Sequence, residues 1–140
     1  MVILQRSSRR YHEARVQRRF RLSRSEDFKR VRRTGKSYAH PLVVLVAQAN
    51  ESSGHLKVGI AAGKMTGTAV HRNRAKRLLR EAMRTLIPSI ALRQAQDNAS
   101  GWDLILIARP ALASATLADC RSALMSLLKR AGLLLPIDES

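Results

Sequence analysis

Arg72, Asn73, Lys76, Arg77, Arg80 and Arg84 are the residues of this chain best placed to do chemistry together. At about 100° per residue of an α-helix they fall within one sector of roughly 140°. Ala75, Leu78, Leu79, Ala82, Met83 and Leu86 are assigned to the opposite side, a stripe wide enough to pack on a core. A row of guanidiniums with one amide suits an array of phosphate and ribose oxygens, because Arg donates bidentately to planar oxyanions. Solvated helix faces usually interleave Glu with Lys or Arg for i,i+4 support, and here only Glu81 does so. The face therefore predicts contact with nucleic acid.

The remaining charge agrees by where it lies. Of the net +16, residues 1–36 hold 13 Lys and Arg against 3 acids, residues 64–84 hold 7 against 1, and the rest is neutral at 6 against 6. Clustered charge of this kind is the electrostatic footprint of a polyanion binder. A membrane-surface helix would carry Trp or Phe opposite its basic face, and 69–87 has neither. No apolar run approaches the ~18 residues of a membrane span, and Met1-Val-Ile-Leu4 is too short for a signal segment. The single Cys120 rules out an internal disulfide and fits a reducing, cytoplasmic setting.

Catalytic constellations are missing. His12, His40, His55 and His71 lack metal-ligand spacing, so no metal site is expected. Cys120 has no evident activating partner, and Glu26 and Asp27 complement a helix dipole. Gly59, Gly63 and Gly67 lack the P-loop pattern and read as turn glycines. No catalytic residue is assigned.

The elements that must position the basic face are legible. Residues 1–19 are expected to form a flexible basic arm, 20–132 a single α+β domain, and 133–140 a frayed tail. Ser23 to Glu26 is a capping box opening a helix through Phe28, Val31 and Arg32 that Gly35 ends. Leu42–Ala47 and Leu56–Ala62 read as strands around a turn at 50–54, with a short extra strand at Tyr38-Ala39. Thr68 caps the basic helix, which should stop near Pro88 and give way to a polar loop at 89–101. Trp102–Ala108 is a buried strand closed by Arg109-Pro110. A second capping box, Thr116 to Asp119, opens a last helix that buries Leu117, Cys120, Leu124, Leu127, Leu128 and Ala131 and ends before Gly132. The order α-β-β(-β)-α-β-α describes one sheet with helices against it.

Arg72-Asn73-Arg74-x-Lys76-Arg77-x-x-Arg80 resembles the Arg-Asn-Arg signature of the bacterial ribonuclease P protein family. The likeness continues through Lys57-Val58-Gly59, Lys64 and Gly67-x-Ala69-Val70, through Ser25-Glu26-Asp27-Phe28 with Val31, and through Asp103 to Pro110. It covers roughly residues 20–132.

The resemblance implies a mixed sheet with a left-handed β-α-β crossover, although such crossovers are right-handed in about 98% of cases. It also implies binding to a large catalytic RNA that removes the 5′ leader of precursor tRNA, with Mg2+ required by the RNA and none bound by protein side chains alone. No membrane or protein partner is implied. Arg72, Asn73, Arg74, Lys76, Arg77 and Arg80 would touch the catalytic RNA, while Phe28, Arg32, Val46 and Lys64 would line a leader cleft. Phe28 is open between core and cleft. The family places aromatics where this chain has Arg32 and Val46, and each stacked base would contribute about 1–3 kcal/mol. Arg32 can contact phosphate or lay its plane on a base instead.

A ribosome-associated protein or RNA chaperone would share the charge but not the signature. A DNA-binding transcription factor would place a short helix and tight turn, not a strand and a Gly-rich loop, before residue 68.

Overall fold

The computed structural model describes residues 21–22, 25–50, 56–96 and 101–134. The arm at 1–19, the cap Ser23 and the turn residues 51–54 lie outside these, as does most of the tail. Helix α1 (Ser25–Thr34) leads into strands β1 (Lys36–Ala39), β2 (Val43–Asn50) and β3 (Lys57–Ala62). A 3-10 turn, Lys64–Thr66, precedes the long helix α2 (Ala69–Gln96). Strand β4 (Gly101–Ala108), a second 3-10 turn (Pro110–Ser114) and helix α3 (Leu117–Arg130) complete the chain.

The strands form one sheet in the order β1-β2-β4-β3. β2 runs antiparallel to both β1 and β4, while β3 and β4 are parallel neighbours. A parallel pair needs a crossover, and α2 supplies it. The expected α+β class with a single mixed sheet is the observed one.

Alternation along each strand divides the core in two. Val43, Leu45, Ala47, Val58, Leu104, Leu106 and Ala108 face α2 and α3, meeting Ala75, Leu79, Met83, Leu86, Ile90, Leu124, Leu127 and Leu128. Each fully buried Leu there contributes about 1.5–3 kcal/mol. The opposite face carries a smaller cluster of Leu22, Val31, Val46 and Ile105 beneath α1.

Four expectations are corrected. The long helix passes through Pro88 and continues to Gln96, so 89–96 is helix and not loop. Pro88 is exposed while its neighbours Ile87 and Ile90 are buried, so its ring faces solvent and the core holds the helix. β2 extends to Asn50, three residues beyond the predicted end, because pairing with β4 continues to Gly101. Leu117 is 41% exposed and outside the core, consistent with its place at the first position of α3. Leu133 is buried and donates its N–H to the Leu128 carbonyl, so the tail begins beyond it.

The second capping box forms as predicted, with Thr116 Oγ1 accepting from the Asp119 N–H. Behind it Cys120 is fully buried, and burial raises its thiol from 9.0 to about 11. A raised acid pKa favours the folded state below the ordinary thiol range, and that contribution is lost as pH climbs from about 9 through 11. At pH 8 an alkylating reagent should therefore leave Cys120 unmodified over a period that fully labels the denatured chain. Equal labelling rates by mass spectrometry would contradict the burial.

Candidate nucleic-acid interface

The basic face of α2 begins where Gly67, at φ +122°, turns the chain into the helix. Thr68 Oγ1 lies 2.9 Å from His71 Nδ1 and only 3.4 Å from the His71 N–H, so the predicted cap is a loose one. Asn73 and Arg77 are exposed, and Arg72, Lys76 and Arg80 half-buried. Asn73, Lys76 and Arg77 have no hydrogen-bond or ion-pair partner among the described residues. Arg84 pairs with Glu81 at 2.6 Å, the one carboxylate on this side. Arg72 Nε is buried and has no partner among the described residues.

Arg74 stands apart from this row. Its Nε donates to the Ala113 carbonyl at 2.7 Å and its Nη2 to that of Ala115 at 3.1 Å. It thereby ties α2 to the 3-10 turn before α3. Two of its donors satisfy backbone acceptors that would otherwise be left near the core.

The second feature lies on the other sheet face. The registers set three rows across the strands. Gln48, Asp103 and Lys57 form a polar row. Ser37, Val46, Ile105 and Gly59 form the next, and Ala39, Val44, Ile107 and Ala61 the third. Helix α1 covers the first two. Val31 is fully buried on the middle row, and the Phe28 ring lies on Gly59, where a Cβ would come within 2.8 Å of Phe28 Cε2. The third row stays partly open, with Val44, Ile107 and Ala61 only half-buried. It is an open apolar row beside α1 and the candidate floor for the expected cleft.

Arg32 is exposed and has no partner among the described residues. At about 100° per residue it sits next to Phe28, on the flank of α1 turned to the open row. Val46, expected to line the cleft, is 4% exposed beneath α1 and presents no surface there. Phe28 is half-buried and packs against the smaller cluster. Lys64 opens the turn that follows β3, which places its backbone past the end of the open row. Arg109, exposed at the end of β4, flanks the same end with its N–H bonded to the Leu42 carbonyl at 3.0 Å. In sequence it had looked like a strand terminator only.

Sequence reasoning also missed the clamp on the opposite flank of α1. Asp103 is fully buried, and its Oδ2 accepts from Arg30 Nη2 at 2.6 Å and from Asn50 Nδ2 at 2.8 Å. Arg30 also donates to Asp27 at 3.2 Å and to Gln48 Oε1. The hydrogen bond from Arg30 to Asp103 raises the guanidinium's pKa and keeps it charged.

Comparison with known proteins matches this architecture. The family model described as Ribonuclease P covers residues 16–132. The chain belongs to the ribonuclease P protein family. That family supplies the protein component of the ribonuclease that processes tRNA 5′ ends. The ribonuclease P protein component of Herpetosiphon aurantiacus is 38% identical over 118 residues, 84% of this chain and 89% of that protein. The one from Clostridium botulinum is 35% identical over 113 residues, 81% and 95% of the two chains. Among solved structures, the RNase P protein of Staphylococcus aureus superposes with a TM-score of 0.68 at 28% identity, covering 86% of this chain and 95% of that one. The Thermotoga maritima protein gives 0.64 at 28%, covering 79% and 96%.

The Phe28–Gly59 contact yields a direct test. Gly59→Ala should destabilise the fold by about 1–3 kcal/mol through overpacking. In a Phe28→Ala background most of that cost should vanish, since the cycle isolates the contact. An equal cost in both backgrounds, read from denaturant midpoints, would show that the ring does not set the requirement for glycine.

Proposed function

We propose that this protein binds the catalytic RNA of ribonuclease P through the basic face of α2 and the 5′ leader of precursor tRNA through the cleft beside α1. The observation that carries this reading is the separation of the two features on opposite sides of one sheet. The α2 face offers Arg72, Asn73, Lys76, Arg77 and Arg80 along about two and a half helical turns, a spacing suited to successive phosphates of a folded RNA. Arg74 supports that face by anchoring α2 and carries little of the contact itself.

The cleft offers a different chemistry. Its floor of Val44, Ile107 and Ala61 is apolar and its walls carry Phe28, Arg32 and Arg109. A single strand with unpaired bases can lay base faces on the floor while guanidiniums hold its phosphates. Duplex RNA presents only backbone and groove edges to such a surface. Lys64, in the turn that follows β3, is assigned to the leader on the family resemblance.

In this reading the hydrolysis belongs to the RNA and its Mg2+ ions. Among the described residues no group of three His, Cys, Asp or Glu stands close enough to hold a metal ion. The protein's work is to hold substrate and RNA in register, which contributes by orientation. No described helix is long and apolar enough to cross a membrane, and the cytoplasm is the compartment proposed.

Reconstitution tests the proposal. The chain mixed with ribonuclease P RNA at low magnesium should restore leader removal, whereas the chain alone should cleave nothing with any divalent metal. Cleavage that survives RNase treatment of the protein and co-purifies with it would overturn the assignment of catalysis to RNA.

The two surfaces should also separate by mutation. Arg72→Ala with Arg77→Ala should weaken assembly with the catalytic RNA at least tenfold. Thermal stability should shift by less than about 0.5 kcal/mol from exposed Arg77 and by somewhat more from half-buried Arg72. A fourfold rise in salt should weaken assembly of the unsubstituted protein by about 10²-fold, from counterion release at several phosphates. A flat salt profile would contradict the phosphate-row reading.

A further inference from the structure

We propose that Arg30 and Asp103 act as positioning residues for the leader cleft, fixing the roll of α1 so that Phe28 and Arg32 are held over its open row. The inference rests on the leader-binding reading above and goes beyond it by naming what sets the cleft's geometry.

Asp103 is an unexpected residue for its place. It lies on the central strand β4, two residues from Ile105, on the face that α1 covers. A buried carboxylate there carries a large desolvation cost, and an apolar residue of similar volume is often neutral or better for stability. Among the described residues its Oδ1 is buried with no hydrogen-bond partner. What the carboxylate does provide is a fixed acceptor for a side chain arriving from another element.

That side chain is Arg30. It meets Asp103 on β4, Gln48 on β2 and Asp27 one turn back on α1. Gln48 in turn donates to Thr34 Oγ1 at the end of the helix. The polar contacts thus run along one flank of α1, at residues 27, 30 and 34. A guanidinium held by acceptors on two strands has few ways to move, because its five donors lie in a rigid plane.

The rest of α1's footing is small. Ten residues bury one side chain fully, Val31, with Phe28 partly buried on Gly59. Apolar contacts are non-directional, so two of them along one line leave rotation about the helix axis weakly determined. The Arg30 clamp fixes that rotation. With side chains reaching about 5–6 Å from the axis, a roll of about 20° moves them by about 2 Å. The flank opposite the clamp is the one carrying Phe28 and Arg32 toward the cleft. Misplacement by about 1 Å can change a rate up to 10²-fold when orientation matters.

The test compares two quantities in the reconstituted holoenzyme. One is the affinity for precursor tRNA over mature tRNA, the other the affinity of the protein for the catalytic RNA. Asp103→Asn and Arg30→Met should each lower the precursor preference about three- to tenfold while leaving catalytic-RNA affinity within twofold. The double variant should be no worse than the more severe single one, since each breaks the same clamp. Arg30→Lys, which keeps the charge but not the fork, should fall between Arg30→Met and the unsubstituted protein. Leu127→Ala, a core change on the far side of the sheet, should lower the melting temperature without changing the precursor preference.

Should Asp103→Asn fail to fold, the Arg30 pair carries the test alone. An unchanged precursor preference in Arg30→Met, or an equal loss in Leu127→Ala, would overturn the positioning role. No precursor preference in the unsubstituted protein would instead overturn the leader reading, and this inference with it.

Discussion

The pleat of β4 sends Leu104, Leu106 and Ala108 into the larger core and Asp103, Ile105 and Ile107 to the other face, where α1 is the described helix that covers them. A helix of ten residues spans about 15 Å, too little to cover four strands along their length. It settles over the row of Val46, Ile105 and Gly59 and reaches the row of Gln48 and Asp103 through Arg30. The row of Val44, Ile107 and Ala61 is left half-open. The cleft is thus what remains when a short helix covers a wide sheet, and its width depends on where that helix is held.

The far side obeys the opposite rule. α2 runs for 28 residues and is joined by α3, so the core beneath them is fully covered. Their outer surface is free to be polar. The burial of Ala75, Leu79, Ala82 and Met83 fixes which side of α2 faces water, and the charges at Arg72, Lys76 and Arg77 follow from helical geometry. Arg74, between the two sides, is drawn to the Ala113 and Ala115 carbonyls of the adjoining turn.

Much of this was legible in the sequence, because helical and strand periods state directly which side chains are buried. The α2 face, the strands read at 42–47, 56–62 and 102–108, and the Thr116 cap all rest on local patterns. Local rules misled where the core overrode them: Pro88 reads as a stop, yet Ile87 and Ile90 keep the helix packed past it. What depends on register was beyond reach. Arg30 and Asp103 are 73 positions apart, and no local pattern pairs them. The Phe28–Gly59 contact is hidden for the same reason, and Val46 entered the cleft through the family resemblance alone, which carries no information on its burial beneath α1.

Site-directed crosslinking probes the division of surfaces most directly. Buried Cys120 leaves a single engineered cysteine as the reactive thiol, so a photoreactive group can be attached at Ala61→Cys on the cleft floor or at Asn73→Cys on α2. In the holoenzyme with precursor tRNA, position 61 should crosslink to leader nucleotides and position 73 to the catalytic RNA. Crosslinks from both positions to the same RNA strand would contradict the account.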